Sequence, residues 1–255
     1  MRIEEYQRFT ERLVAGLEAD ERVLGIVGLG STARTGREPD AWSDHDVWIV
    51  VRDGEQEQFR REPSWLPDAG EIVWWHRETE HGLSVLYRSG HLVECAVFAP
   101  SELSVARANL AAVLLDRGGV AERVAALQAQ AADIPSSEWL LGQLLAALVV
   151  GAGRWARGER VSGQRRIMDG IGHLTRLLAV HVPARAGSLD ELDPLRRVEE
   201  AWPELGAELD GILLLPAPEA ALRVVALLRA RLGSLVAPHG AALAAVTQVA
   251  TAASS

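Results

Sequence analysis

Along residues 2 to 19, the apolar positions Ile3, Tyr6, Phe9, Leu13 and Leu17 recur at helical spacing with acids and arginines between them. This predicts a first helix packed by one face. The period then shortens. "RVLGIVGLG" at 22 to 30 and "DHDVWIVVR" at 44 to 52 are rich in β-branched residues and bounded by turn formers, which predicts two core strands. "EIVWWHRE" at 71 to 78 predicts a third, and "GLSVLYRSGHLVECAVF" at 82 to 98 two more, joined by a tight turn at Ser89-Gly90. From Ser101 onward the chain is rich in Ala and Leu, with helical periodicity punctuated at Gly118-Gly119, Pro135, Gly163, Pro183, Pro194, Pro203 and Pro216-Pro218. The expected fold class is α+β: a small mixed β-sheet with flanking helices over residues 1–100, followed by an α-helical bundle over 101–255.

A chain of 255 residues is long enough for one large domain or two of ordinary size, each with its own core, and two are expected. No uninterrupted apolar run reaches about 18 residues, so a membrane span is not expected. The charged N-terminus "MRIEEYQRFTERLVAGLEAD" lacks the pattern of a secretory signal, and the single cysteine, Cys95, cannot form an internal disulfide. Cytoplasmic residence is the expectation. The net charge of -9 disfavours nucleic acid as a general partner and favours cationic ones. All 26 basic residues are Arg, which removes a P-loop, whose Lys is indispensable, and leaves guanidinium groups to clamp any anion.

The stretch "GLGSTARTGREPDAWSDHDVWIVV" at 28 to 51 carries two competing signatures. Gly28-Leu29-Gly30-Ser31-Thr32-Ala33 has the spacing of a dinucleotide loop, but that loop must open a helix of about three turns. The ten residues between Ala33 and Asp44 include Gly36, Pro39, Asp40 and Ser43, which are loop formers, and the acids stand at the start of the second strand rather than its end. The other signature is a Gly30-Ser31 turn, able to hold phosphate oxygens on backbone N–H groups and a hydroxyl, followed by Asp44-His45-Asp46 at the head of an apolar strand. Residues two apart on a strand share a face, so both carboxylates project together and can share hard cations. Two Mg²⁺ ions held there would clamp the attacking and leaving oxygens of an in-line displacement at phosphorus.

The pattern "VGLGS…SDHDVWIVV" resembles the nucleotidyltransferase superfamily of DNA polymerase β type, and with a helical C-terminal half it is most similar to the bacterial aminoglycoside and lincosamide nucleotidyltransferases. The resemblance implies an N-terminal nucleotidyltransferase domain and a helical substrate-binding domain. It implies transfer of AMP, or another NMP, from ATP or another NTP to a hydroxyl of a small molecule, an aminoglycoside or lincosamide antibiotic, with release of pyrophosphate; the negative net charge favours a cationic one. It also implies a third carboxylate on a later strand, for which the candidate is Glu94 in "HLVECAVF", and the rivals are Glu71 and Glu78. Asp44, Asp46 and Glu94 would then be both catalytic and metal-holding, with Gly30 and Ser31 on the nucleotide phosphates. His45 departs from the family, where an apolar residue is usual, and would point to the face opposite the metals.

Arg34 and Arg37 lie in the loop beside the expected triphosphate, as neutralising groups or as solvated charges. Trp42, Trp65, Trp74 and Trp75 are either core residues, the favoured assignment, or stacking surfaces for a base or a substrate. Arg176 and His181 have a spacing seen in helical ribonucleases but do not share one clean helix face, while Asp169 and His173 form a polar patch on the same helix. A regulatory nucleotidyltransferase-fold protein, transfer of NMP to protein or RNA, and a homodimer are the open alternatives.

Overall fold

The computed structural model describes residues 2–33, 38–108, 110–130, 134–185, 189–190 and 192–254. The chain divides into two compact units, Met1–Ala131 and Ala132–Ser255. In the first, helix α1 (Ile3–Glu18) precedes β1 (Val23–Leu29), β2 (His45–Val51), α2 (Gln56–Arg61), β3 (Ile72–Arg77), β4 (Gly82–Tyr87), β5 (Leu92–Phe98), β6 (Ala111–Asp116) and α3 (Val120–Gln128). The strands form one six-stranded sheet in the order β3-β4-β5-β2-β1-β6. β2 and β5 run parallel and their neighbours antiparallel.

Alternation along the strands separates two faces. Val47, Ile49 and Val51 of β2, Val93, Cys95 and Val97 of β5, and Leu83, Val85 and Tyr87 of β4 pack under Phe9, Leu13 and Leu17 of α1. On the opposite face, Val27, Trp48, Val50 and Phe98 are covered by Val120, Val124 and Leu127 of α3. Asp46, Glu94 and Ser84 lie on this second face by register, beyond the apolar patch that α3 covers.

Strand β6 corrects the expectation that everything after Ser101 is helical. Its sequence, AAVLLD, has residues at home in either state, and pairing with β1 decides for the strand. Asp116 closes β6 and accepts hydrogen bonds from the N–H groups of Gly118, Val120 and Ala121, so it caps the start of α3, and these bonds hold its carboxyl below the usual range. The compositional break at 101 thus precedes the boundary between the compact units, which falls between Ala131 and Ala132.

The second unit contains α4 (Ser137–Ala156), α5 (Arg160–His181), α6 (Val198–Ala201), α7 (Pro203–Leu213), α8 (Ala217–Arg231), α9 (Gly233–Val236) and α10 (Gly240–Ala253) around one leucine-rich core. Pro203 and Pro218 stand in first turns, where a missing N–H costs nothing. Gly163, expected between helices, is instead inside α5. A Cβ there would lie 2.8 Å from the carbonyl of Gly151, so the two glycines let α4 and α5 cross closely. By length and composition, α4 and the span 233–253 also reach what a bilayer crossing requires, although polar residues interrupt both. Leu140, Leu144 and Leu148 of α4 and Leu243, Val246 and Ala250 of α10 are buried in the core of this unit.

Candidate active site

Asp46 and Glu94 stand directly opposite each other across the parallel β2–β5 pair. Strands are about 4.8 Å apart, so directly opposed residues put their side chains side by side on one face. Asp44, two residues before Asp46, shares that face. One carboxylate oxygen from each of the three residues lies within 4.8 Å of the others, and all three side chains are half-buried. Three carboxylates at that separation repel one another unless a cation or a proton is shared. The set offers only hard oxygen donors, the type that suits Mg²⁺, Ca²⁺ or Mn²⁺.

The turn that follows β1 folds over this cluster. Gly30 adopts φ +50°, and its N–H donates to the carbonyl of Leu110 at 3.1 Å. A Cβ on Gly30 would stand 3.7 Å from Asp46 Oδ2, so glycine leaves open the space beside that carboxylate. At Gly28 a Cβ would come within 2.7 Å of the Thr32 carbonyl, which shows how tightly the 30–33 turn returns over the end of its strand. The donors of this turn and the carboxylates are thus neighbours, as a phosphate-and-metal site requires.

A residue read from the sequence only as an apolar position of α1 ties these parts together. The Tyr6 hydroxyl donates to the carbonyl of Asp44 at 2.9 Å and lies 2.6 Å from Thr32 Oγ1 and 3.2 Å from Ser31 Oγ. With its one proton on the carbonyl, the tyrosyl oxygen accepts from Thr32, whose own oxygen accepts the N–H of Asp46 at 3.2 Å. Burial raises the Tyr6 pKa, so the phenol stays a donor. Helical periodicity locates the Tyr6 ring; its hydroxyl had no signal, because its partners lie 25 to 38 residues away.

His45 does point away from the carboxylates, and its surroundings are now explained. It is fully buried and stacks on Tyr6 at 3.7 Å. The Thr10 hydroxyl donates to the carbonyl of Tyr6, so it accepts from His45 Nε2–H at 2.9 Å. That leaves His45 Nδ1 as the acceptor for His91 Nε2–H at 2.8 Å. Burial pushes the pKa of His91 down to about 4, which keeps this ring neutral at pH 7. His45 therefore seats the start of β2 on α1 and β5.

The remaining candidates divide. Glu78 lines a small groove of about 130 Å³ together with Asp46 and Glu94, and its Oε2 accepts from Ser84 Oγ at 3.0 Å. Glu71 pairs with Arg88 on an exposed turn and does not line that groove. Arg34 and Arg37 lie outside the described residues. Of the four tryptophans favoured as core, Trp65 packs against the core; Trp42, Trp74 and Trp75 are 93%, 54% and 37% exposed. For Trp74 and Trp75 the cause is topology: β3 is an edge strand, and every residue of it after Ile72 is exposed. Trp42 and Asp44 instead border an open cleft of about 780 Å³ with Tyr87 and His91. In the helical unit Asp169 is ion-paired with Arg165 and Arg166, and His181 is hydrogen-bonded to Ser137.

No curated protein matches the sequence. Among solved structures, an aminoglycoside 6-adenyltransferase from Bacillus subtilis aligns over 96% of this chain and 97% of its own, at 13% identity and a TM-score of 0.30. The CdnC:HORMA-deltaN complex of E. coli MS115-1 aligns over 89% of this chain and 65% of its own, at 16% identity and a TM-score of 0.30. The family model described as streptomycin adenylyltransferase matches residues 1–136, a span that holds the whole sheet, the Gly30-Ser31 turn and all three carboxylates. More than half of the chain lies within that match, and the protein belongs to the streptomycin adenylyltransferase family of nucleotidyltransferases.

Proposed function

We propose that the protein transfers AMP from ATP to a hydroxyl of an aminoglycoside-type acceptor and releases pyrophosphate. The observation that carries this reading is the cluster of Asp44, Asp46 and Glu94 on one sheet face, beside a turn that begins at Gly30 and Ser31. The oxygen-only donor set and the space left beside Asp46 by Gly30 fit Mg²⁺, and Asp44, Asp46 and Glu94 are the residues that would hold two such ions. When bound, Mg²⁺ supplies Lewis-acid neutralisation of the charge on the phosphoryl oxygens.

The chain's own groups do the rest. Gly30, whose own N–H is taken by Leu110, leaves room for the β and γ phosphates, Ser31 presents its hydroxyl to them, and Tyr6 holds that turn in place. Glu94 takes the proton of the acceptor hydroxyl as the new O–P bond forms and the bond from the α phosphorus to pyrophosphate breaks. Arg34 and Arg37 are assigned to the triphosphate. The negative net charge of -9 favours a polycationic acceptor over a neutral one, and the family's description favours the aminoglycoside class over lincosamides. With ATP as donor, the cytoplasm is the compartment of the reaction.

Pyrophosphate release from each ribonucleoside triphosphate with Mg²⁺, with streptomycin and other aminoglycosides as acceptors and Asp46→Asn as control, tests the reading. Release that needs one acceptor and is lost in the control is expected. ATP binding with no acceptor-stimulated release would overturn the antibiotic assignment.

A further inference from the structure

Beyond the three carboxylates, the same sheet face continues across β4 to the edge strand β3. Glu94 is opposite Ser84, and Ser84 is opposite His76, so one row runs Asp46, Glu94, Ser84, His76 over four strands. Trp74, two residues before His76, shares this face; the two rings lie 4.5 Å apart at 33°. An indole that is more than half exposed on a sheet face costs hydration free energy unless something covers it. Beside this shelf stands a fourth carboxylate. Glu78 is aimed into the groove of Asp46 and Glu94 by the hydroxyl of Ser84, itself a buried residue. Glu78 falls outside the three-acid set whose oxygens converge, and its residue is exposed to solvent.

We propose that Trp74, backed by His76, and Glu78, held by Ser84, form the subsite that receives a cationic sugar or cyclitol ring of the acceptor. The inference rests on the nucleotidyltransferase reading and names its acceptor contacts. A ring with ammonium or guanidinium substituents stacks on the indole face, where cation–π attraction adds to apolar contact, and one of its charged groups pairs with Glu78. His76 is two strands from Glu94, about 10 Å across the sheet. A molecule of two or three linked rings covers that distance, with a hydroxyl at Glu94 and a neighbouring ring on Trp74. A neutral sugar gains the stacking alone.

The test is calorimetric titration of the full chain with streptomycin, with maltotriose as the uncharged control, for wild type, Trp74→Ala and Glu78→Gln, alongside steady-state kinetics. Both residues are exposed, so both variants should fold. Streptomycin affinity should fall about tenfold in each variant, KM for it should rise by the same factor, and binding of an ATP analogue should be unchanged. Equal streptomycin affinity in wild type and both variants, equal binding of maltotriose, or no binding of streptomycin by wild type would overturn the subsite. Binding that weakens in the variants without any pyrophosphate release leaves the subsite standing and removes the transfer reading. Transfer with unchanged KM in both variants does the reverse.

Discussion

Asp46 and Glu94 are 48 residues apart in sequence and face each other as one registered pair of a parallel ladder, with Asp44 on the same face. Neutralising one member of such a pair removes a ligand without changing the side chain's size. Asp46→Asn should therefore leave the protein folded while lowering transfer by about a hundredfold or more. Thermal unfolding and pyrophosphate release, measured on the same preparation, check both halves. Turnover like wild type in this variant contradicts the assignment of Asp46.

Gly30 holds φ +50°, and the space its missing Cβ leaves is 3.7 Å from Asp46 Oδ2. Gly30→Ala adds left-handed strain of about 1–2 kcal/mol. It also puts a methyl group beside the carboxylate. Urea unfolding should show the strain, and Mn²⁺ titration should show weakened cation binding. Unchanged cation affinity with reduced stability would confine the role of Gly30 to the turn.

Tyr6→Phe deletes only the hydroxyl that joins Thr32, Ser31 and the Asp44 carbonyl. Leaving those groups short of a partner costs about 1–3 kcal/mol of stability. Because the same bonds set the 30–33 turn against the carboxylates, kcat should fall as well, with KM for the acceptor nearly constant. A stability loss with kcat intact would show that the turn keeps its place without this link.

The buried His91 titrates near pH 4, against 6.5 for the free side chain. The unfolded chain takes up this proton first as pH falls. His91 thus contributes stability in full above pH 6.5, and the contribution is lost between pH 6.5 and about 4. The loss amounts to as much as about 3 kcal/mol. His91→Gln keeps an N–H donor for His45 Nδ1 and should flatten the profile over this range. Unfolding by urea at several pH values between 7.5 and 4.5 measures the difference; identical slopes in the two proteins would exclude His91 as its source.

Much of this molecule is legible in local pattern. The helix of residues 3–18, five of the six strands and the division into a sheet followed by helices all follow from periodicity and turn residues, which act within a few positions of one another. Gly30-Ser31 and Asp44-x-Asp46 are legible for the same reason: a strand's period of two puts both acids on one face without further information. Other features depend on partners distant in sequence. β6 is a strand because β1 offers it a ladder, and Gly163 lies within a helix because Gly151 of another helix crosses there. Trp74 and Trp75 are exposed because β3 is the last strand of the sheet, which no composition reveals. Glu94 was one of three candidates in the sequence. Register with Asp46 brings its carboxylate beside those of Asp44 and Asp46, and Glu78, hydrogen-bonded to Ser84, lines the same groove. The sequence by itself determined most of the elements and which residues could carry chemistry. Tertiary structure decided which carboxylates converge and which rings stay open to solvent, since both depend on strand order and register, and those are settled only when the whole sheet is assembled.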